Sequence, residues 1–222
     1  FKSNKRILLF LIEEKIMIVD EFIVRKFTKG KYVKQRYPHY FQPEIEPFMN
    51  EEWFPKYRKN IKMELNKWVL EIQNEIPEDF YERRRIGLNH HFICKLIRND
   101  LLDDFIVYMN QNSFKVNSHI SRSVYETNTF LYKKISALIS PTLIDYAAFY
   151  GSIKIFNYLK LNGAELSPYL WGYAIHGNNA EIFRILEDNN VKKDRNEPYK
   201  PLFQSSIKCY HNDIANYIRT NY

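Results

Sequence analysis

The sequence has little of what secreted and membrane proteins require. It contains only two cysteines, Cys94 and Cys209, and no N-x-S/T glycosylation sequon. Both features argue against a secreted disulfide scaffold and favour an intracellular, cytoplasmic protein. The longest apolar run, Ile7–Ile12, is far too short to cross a bilayer, so we expect no membrane span. Because the chain begins at Phe1 without Met, we expect that its true N-terminus and any targeting signal are missing.

The common motifs of catalysis are also absent. The chain has no G-x-S-x-G, P-loop, H-E-x-x-H or C-x-x-C sequence. We interpret His211-Asn212-Asp213 as a turn and cap, and Asp103-Asp104 as first-turn charges that suit the helix dipole. His90-His91 and Cys94 supply too few ligands for a structural zinc site, which uses four. We therefore predict no enzymatic activity, no metal and no cofactor.

Positive charge is in excess. The 33 Lys and Arg outnumber the 26 Asp and Glu, which gives a net charge of +7, and much of the excess lies near the N-terminus. Aromatic residues interleave with bases between residues 28 and 47, a pattern typical of a nucleic-acid or anionic-surface binder and equally of a solvated loop. Because the 17 Tyr and 16 Phe are spread along the whole chain, we favour the loop and keep nucleic-acid binding as the alternative.

Residues 1–80 predict a helical region. Apolar residues recur at helical spacing through residues 4–27, and Tyr57–Ile76 shows a clean helical period. The prolines and glycine of Thr28–Pro47 predict a long surface connection, the basic aromatic loop of this region. Glu78–Gly87 predicts a short charged bridge whose three arginines lie on a solvated helix face, with an anion site as the alternative.

Thr142–Leu166 is the most informative stretch of the chain. Its pattern predicts a short helix, a turn at Gly151, a second helix that the hydroxyl of Ser152 caps, and a stop at Asn162-Gly163. The paired alanines 147 and 148 favour a close approach between helices, because larger side chains would hold the backbones apart. Two such helices cannot bury their apolar faces alone, so a similar pair is required on each side.

Weaker copies of this hairpin lie on both sides. Residues 92–109 predict an earlier pair, in which Asp100 replaces the turn glycine and caps the second helix. Ser167-Pro168 predicts the start of a later pair and Asn189-Asn190 its stop. Residues 203–218 predict a final pair, and we expect further repeats after it. The insert at 113–140 contains many apolar residues, so we expect it to fold against the array.

The best hairpin resembles the ankyrin repeat, whose T-P-L-H-x-A signature opens the first of two antiparallel helices. Thr142–Ala148 takes the place of that signature, Gly151 matches the turn glycine, and Asn162–Leu166 is similar to the N-G-A-D-V ending. The sequence also resembles a divergent ankyrin-type domain of unknown function in large protist families. The resemblance implies an all-α, ankyrin-like solenoid of helical hairpins over 81–222. The N-terminal helical region 1–80 is too apolar to stand alone in water, so we expect it to pack on one end, with degenerate repeats as an alternative for this region.

The same resemblance implies a non-enzymatic protein–protein interaction module, a monomeric scaffold or adaptor whose rigid concave surface binds an unidentified protein. Aromatic residues are enriched in interface hot spots, so the aromatic pair in the best hairpin is the most informative. Burial of that pair against the next repeat is the alternative. The positions near the turns that match the binding positions of the family are Arg98, Asn99, Phe149, Tyr150, His176, Gly177, Lys208 and Cys209.

Overall fold

The structure is a computed structural model that describes residues 4–30, 32, 36–54, 77–132, 140–192 and 199–221. In these ranges the chain is all-α, with thirteen α-helices and no β-strand beyond one isolated bridge between His119 and Thr142. The helix predicted over Tyr57–Ile76 lies outside the described residues.

Contacts divide the chain into two units. The N-terminal unit is Phe1–His90 with Arg122–Thr129, and the C-terminal unit is His91–Ser121 with Phe130–Tyr222. The sequence suggests a boundary at residue 80, whereas the first unit continues to His90. The insert at 113–140 contributes residues to both units. Hydrogen bonds explain this assignment: the Gly87 carbonyl accepts from the backbone N–H and the hydroxyl of Thr127, at 3.1 and 2.9 Å.

The N-terminal unit contains five helices among its described residues. Side chains cap the first two: Asn4 accepts from the N–H groups of Arg6 and Ile7, and Asp20 accepts from that of Ile23. The five helices are α1 (Lys5–Glu13), α2 (Glu21–Phe27), α3 (Tyr37–Tyr40), α4 (Gln42–Ile45) and α5 (Phe80–Ile86), and a 3-10 turn follows α4 at Glu46–Phe48.

Described residues of the segment Thr28–Pro47 form part of the core, so its assignment as a surface loop was wrong. Tyr37, Tyr40 and Phe41 are fully buried, and the Phe41 ring stacks on that of Phe27 at 4.6 Å. The prolines stand in the first turns of α3 and α4, where a missing N–H costs nothing, so they start helices instead of breaking them. Aromatic side chains bury large areas, which lets so short a segment supply a core.

Arg84 also differs from expectation, because it lies inside the unit and not on a solvated helix face. It is 3% exposed, and its Nη1 donates to Glu44 Oε2 at 2.8 Å and to the Tyr40 carbonyl at 3.2 Å. The Tyr40 hydroxyl in turn donates to the Arg84 carbonyl at 3.0 Å. A buried charge persists when it is paired and hydrogen-bonded in this way, and the pair links α5 to α3 and α4.

Lys5 is a second buried cation in this unit. Its Nζ donates to the Val124 carbonyl at 2.9 Å and lies 5.1 Å from the centre of the Tyr40 ring. Burial, followed by the nearby charge of Arg36, lowers the pKa of Lys5 to about 7 from the usual 10.5. The folded state therefore favours the neutral amine more than the unfolded chain does.

This shift predicts a pH-dependent stability. Above pH 10.5 the Lys5 amine is neutral in both the folded and the unfolded chain, so its burial carries no charge penalty. Between pH 10.5 and about 7 only the unfolded chain binds the proton, so the stability of the fold decreases as pH falls. We expect the free energy of unfolding to rise by about 2 kcal/mol from pH 7 to pH 9, and the rise to vanish in Lys5→Met. Urea denaturation at both pH values measures this difference. Lys208→Met, at an exposed position, is the control, and a rise that persists in Lys5→Met would contradict the assignment.

The described part of the C-terminal unit contains four helical hairpins. Their first helices are α6 (Phe92–Arg98), α8 (Leu143–Tyr150), α10 (Leu170–Gly177) and α12 (Tyr199–Lys208). Their second helices are α7 (Leu102–Gln111), α9 (Ile153–Leu161), α11 (Ala180–Asp188) and α13 (Asn212–Asn221). Helix α8 contacts α6 and α10, α10 contacts α12, and α9 contacts α7 and α11, so neighbouring hairpins pack side by side.

The turns inside the hairpins share one backbone conformation. Each first helix is followed by a residue with positive φ: Asp100 (50°), Gly151 (68°), Asn178 (48°) and Tyr210 (59°). Ser113, Gly163 and Asn190 repeat the feature after the second helices, which confirms the stops predicted at Gly163 and Asn190. The hairpins are therefore copies of one backbone pattern, even where the sequence has no glycine.

The two central hairpins approach so closely that no side chain fits between them. A Cβ added to Gly177 would lie 2.1 Å from the Ala148 carbonyl oxygen and 2.8 Å from the Gly151 nitrogen. Around this contact every residue of α8 from Leu143 to Phe149 is buried. The expected close approach at the alanine pair is thus present, and its tightest point is at Gly177.

Gly177→Ala tests this contact. The glycine is helical, so helix propensity alone predicts a gain of about 1 kcal/mol, whereas overpacking predicts a loss of about 3 kcal/mol. We expect the loss in urea denaturation. Gly163→Ala is the control: its added Cβ meets nothing within 4 Å, and only its φ of 86° costs energy, about 1 kcal/mol. A stabilised Gly177→Ala would contradict the close approach.

Candidate functional site

The candidate site residues predicted from the sequence lie at the C-terminal ends of the four first helices. Those with an exposed or half-buried side chain form what we call the helix-end row, which consists of Arg98, Asn99, Tyr150, His176, Lys208 and Cys209. Of the other two predicted residues, Phe149 is buried and Gly177 has no side chain. The turns after these residues determine where the row lies, and neighbouring hairpins hold those turns through side-chain hydrogen bonds to the backbone.

Two of these hydrogen bonds correct the predicted caps. The Ser152 hydroxyl does not cap its own helix but donates to the Ile97 carbonyl of the preceding hairpin at 2.5 Å. Asp100 does not cap α7; its carboxylate accepts from the N–H groups of Lys154 and Ile155 in α9, each at 3.0 Å. The first turn of α9 is therefore capped by the hairpin before it.

The next turn is held in a similar way by different groups. Asn179 Oδ1 caps its own helix through the N–H groups of Glu181 and Ile182, while its Nδ2 donates to the Gly151 carbonyl at 3.0 Å. Helix α10 has no such cap. It begins at Leu170 and not at Ser167-Pro168 as predicted, because the Ser167 carbonyl accepts from the Leu170 N–H in a turn that precedes the helix.

Arg98 and Tyr150 meet at one end of the row. Arg98 Nη1 donates to the Tyr146 hydroxyl at 2.9 Å, and its guanidinium lies 5.9 Å from the centre of the Tyr150 ring. The two tyrosine rings are 4.8 Å apart. Tyr146 was not among the predicted residues, although its position one helical turn before Tyr150 places it on the same face of α8. Arg98 is thus held in place by two aromatic residues of the next hairpin.

Phe149 is buried, which favours the packing alternative given for it above. It is 6% exposed, and its ring stacks with His176 at 5.1 Å. Phe130, in the short 3-10 turn Thr129–Tyr132 of the insert, lies 3.9 Å from the His176 ring and 6.2 Å from that of Phe149. Phe130 was not among the predicted site residues, and the only signal for it was the apolar character of the insert.

His176 extends the row to the last hairpin. Its Nδ1 is 3.5 Å from the Sγ of Cys209, next to Lys208. Burial raises the pKa of the Cys209 thiol above its usual value, so the pair does not favour a thiolate and lacks the activation that a nucleophilic cysteine needs. Lys208 and Asn99 are exposed, and Asn99 donates from its side chain to the Lys95 carbonyl at 2.9 Å.

The histidine and cysteine weighed as metal ligands have structural surroundings. His90 Nδ1 lies 2.8 Å from the Ser123 hydroxyl, and Cys94 is fully buried. In the part of the chain that the structure describes, no group of three or more His, Cys, Asp or Glu could hold a metal ion. Nor does any helix of that part combine the length and apolar character needed to cross a bilayer.

Comparisons of the chain with models of protein families, with curated proteins and with solved structures give no match. The geometry of the helix-end row is therefore the strongest indication of function in this chain.

The two aromatic residues at the end of α8 should differ in their effect on stability. We expect Phe149→Ala to lower the free energy of unfolding by about 3 kcal/mol, because it empties a buried site between α8, α10 and the insert. Tyr150→Ala, at a half-buried position, should cost less than half of that. Urea denaturation of both variants gives the comparison, and equal losses would show that Tyr150 is also a core residue.

Proposed function

We propose that the chain is a non-enzymatic protein-interaction module, a scaffold or adaptor, that binds its partner through the helix-end row. The observation that carries this proposal is the continuity of the row. Side chains from four successive hairpins are linked in sequence: Arg98 contacts Tyr150, the buried Phe149 connects Tyr150 to His176, and His176 reaches Cys209. Arg and Tyr are among the residues that dominate binding energy at protein interfaces.

The array itself is proposed to be a divergent ankyrin-like solenoid. The register of the positive-φ turns, the side-by-side first helices and the capping box of Thr142 and Asp145 support this assignment. The connection from Leu161 to Leu170 is too short for the projecting β-finger of an ankyrin repeat, so at this junction binding is assigned to the helix ends.

Rigid presentation is the mechanism that this geometry favours. Hydrogen bonds from Ser152, Asp100 and Asn179 fix the turns before a partner arrives. A surface that is already ordered loses little conformational entropy on binding, so more of the contact energy contributes to affinity.

Nucleic-acid binding through the basic N-terminal region has less support, because several of its cations interact within the N-terminal unit. Lys5 is buried, and Arg25 forms an ion pair with Glu21. Arg36 donates to the Arg122 carbonyl at 2.9 Å. These three cations already have partners within the unit, so they contribute less to a basic patch of the kind that a phosphate backbone requires.

Site-specific photocrosslinking tests the proposed surface. We would place p-benzoylphenylalanine in the full chain at Asn99, Tyr150 or Lys208, and irradiate each variant in extract from the native cell. We expect the same crosslinked protein from all three positions, because one partner covers the row. Leu161, 80% exposed at the end of a second helix, is the control position and should give no such product. Equal labelling from Leu161, or none from the row, would contradict the proposal.

A further inference from the structure

The first helices of the C-terminal unit carry charge of almost one sign. Their basic residues are Lys95, Arg98, Lys200 and Lys208, and their single carboxylate is that of Asp145. Asp145 lies in the capping box at the opposite end of α8, is 5% exposed, and accepts from the Thr142 N–H at 3.0 Å. It therefore offers no negative charge to a ligand at the helix ends.

The second helices have the opposite balance. They carry six carboxylates and four basic residues, two of which are Lys160 and Arg184. The six carboxylates are those of Asp103, Asp104, Glu181, Glu187, Asp188 and Asp213. Carboxylates are thus concentrated in the second helices, and the first helices, which bear the helix-end row, are net positive. Asp100, in the turn beside Asn99, has its carboxylate bound to the N–H groups of Lys154 and Ile155.

We propose, on the basis of the proposed function, that the helix-end row binds an acidic peptide segment in an extended conformation. Carboxylates of the peptide pair with Arg98 and with Lys95, which lies one helical turn before the row on the same helix, and at the other end with Lys208. Between these cations the row presents Tyr150 and His176, which suit apolar or aromatic side chains of the same peptide. Opposite charge across an interface fixes register and accelerates association.

The spacing of the helices sets the length of the peptide. Packed helices lie about 8–10 Å apart, so the three steps from α6 to α12 span roughly 24–30 Å. An extended chain advances about 3.3 Å per residue, so about seven to nine residues reach from Lys95 to Lys208.

The density of charge favours a peptide over a nucleic acid. Two of the three cations lie on one helix and the third roughly 24–30 Å away, whereas duplex DNA carries one charge per about 1.7 Å. Widely spaced carboxylates match the row, and a continuous phosphate backbone does not.

Peptide selection tests the inference. We would immobilise the full chain and select phage-displayed random dodecapeptides in about 50 mM salt, where surface charges are weakly screened. We expect Asp and Glu to be enriched at least twofold over the unselected library. The selected peptides, synthesised with fluorescein, should lose at least tenfold in affinity for the double variant Lys95→Glu, Lys208→Glu. The control Lys160→Glu, Arg184→Glu changes the net charge equally on the second helices and should bind as the unmodified chain does.

The outcomes separate the two proposals. Peptides that are selected but not acidic, or that bind both double variants equally well, would overturn the acidic-peptide assignment while leaving a peptide-binding module. If no peptides are selected above a blank surface and no position-specific crosslinks form, the proposed binding function is itself contradicted. A fluorescein-labelled 20-nucleotide strand that binds more tightly than every selected peptide would overturn the inference in favour of nucleic acid. Circular dichroism melts of both double variants verify that folding is retained.

Discussion

The backbone contact between Gly177 and Ala148 sets the distance between the two central hairpins, and much of the C-terminal unit depends on it. Because no Cβ fits there, α8 and α10 lie closer than helices with larger side chains between them. That distance brings the Phe149 ring to 5.1 Å from His176, and His176 in turn reaches Cys209. The continuity of the helix-end row therefore depends on one position at which only glycine fits.

Features that depend on neighbouring residues in the chain were predictable from the sequence. The turn at Gly151 and the stops at Gly163 and Asn190 arise from the residue types that tolerate positive φ. The caps were not predictable in the same way. Ser152 and Asp100 are good capping residues, but their hydrogen bonds go to other hairpins, and the order of residues does not show which backbone groups come near in space.

The burial of individual side chains was likewise not predictable, because it depends on contacts between residues distant in the sequence. The aromatic residues of Thr28–Pro47 could equally be exposed among bases or packed on each other, and only the contact of Phe41 with Phe27 decides it. Arg84 lies in a run of three arginines that suggests a solvated face, yet Glu44 draws it into the core. At the candidate site, the adjacent Phe149 and Tyr150 separate into a buried and a half-buried residue because Phe130 covers the first.

The hydrogen bonds between turns also affect how the hairpins unfold and which deletions or duplications of hairpins the fold tolerates. Helix α9 is capped by Asp100 of the hairpin before it, and the turn after α10 holds the Gly151 carbonyl of its own preceding hairpin. In linear arrays, the coupling between adjacent units decides whether they unfold singly or together. Since deletion of the first hairpin would leave the N-terminal amides of α9 without the Asp100 carboxylate, we expect the hairpins to unfold together, and any shortening or duplication should keep whole turn-to-turn junctions.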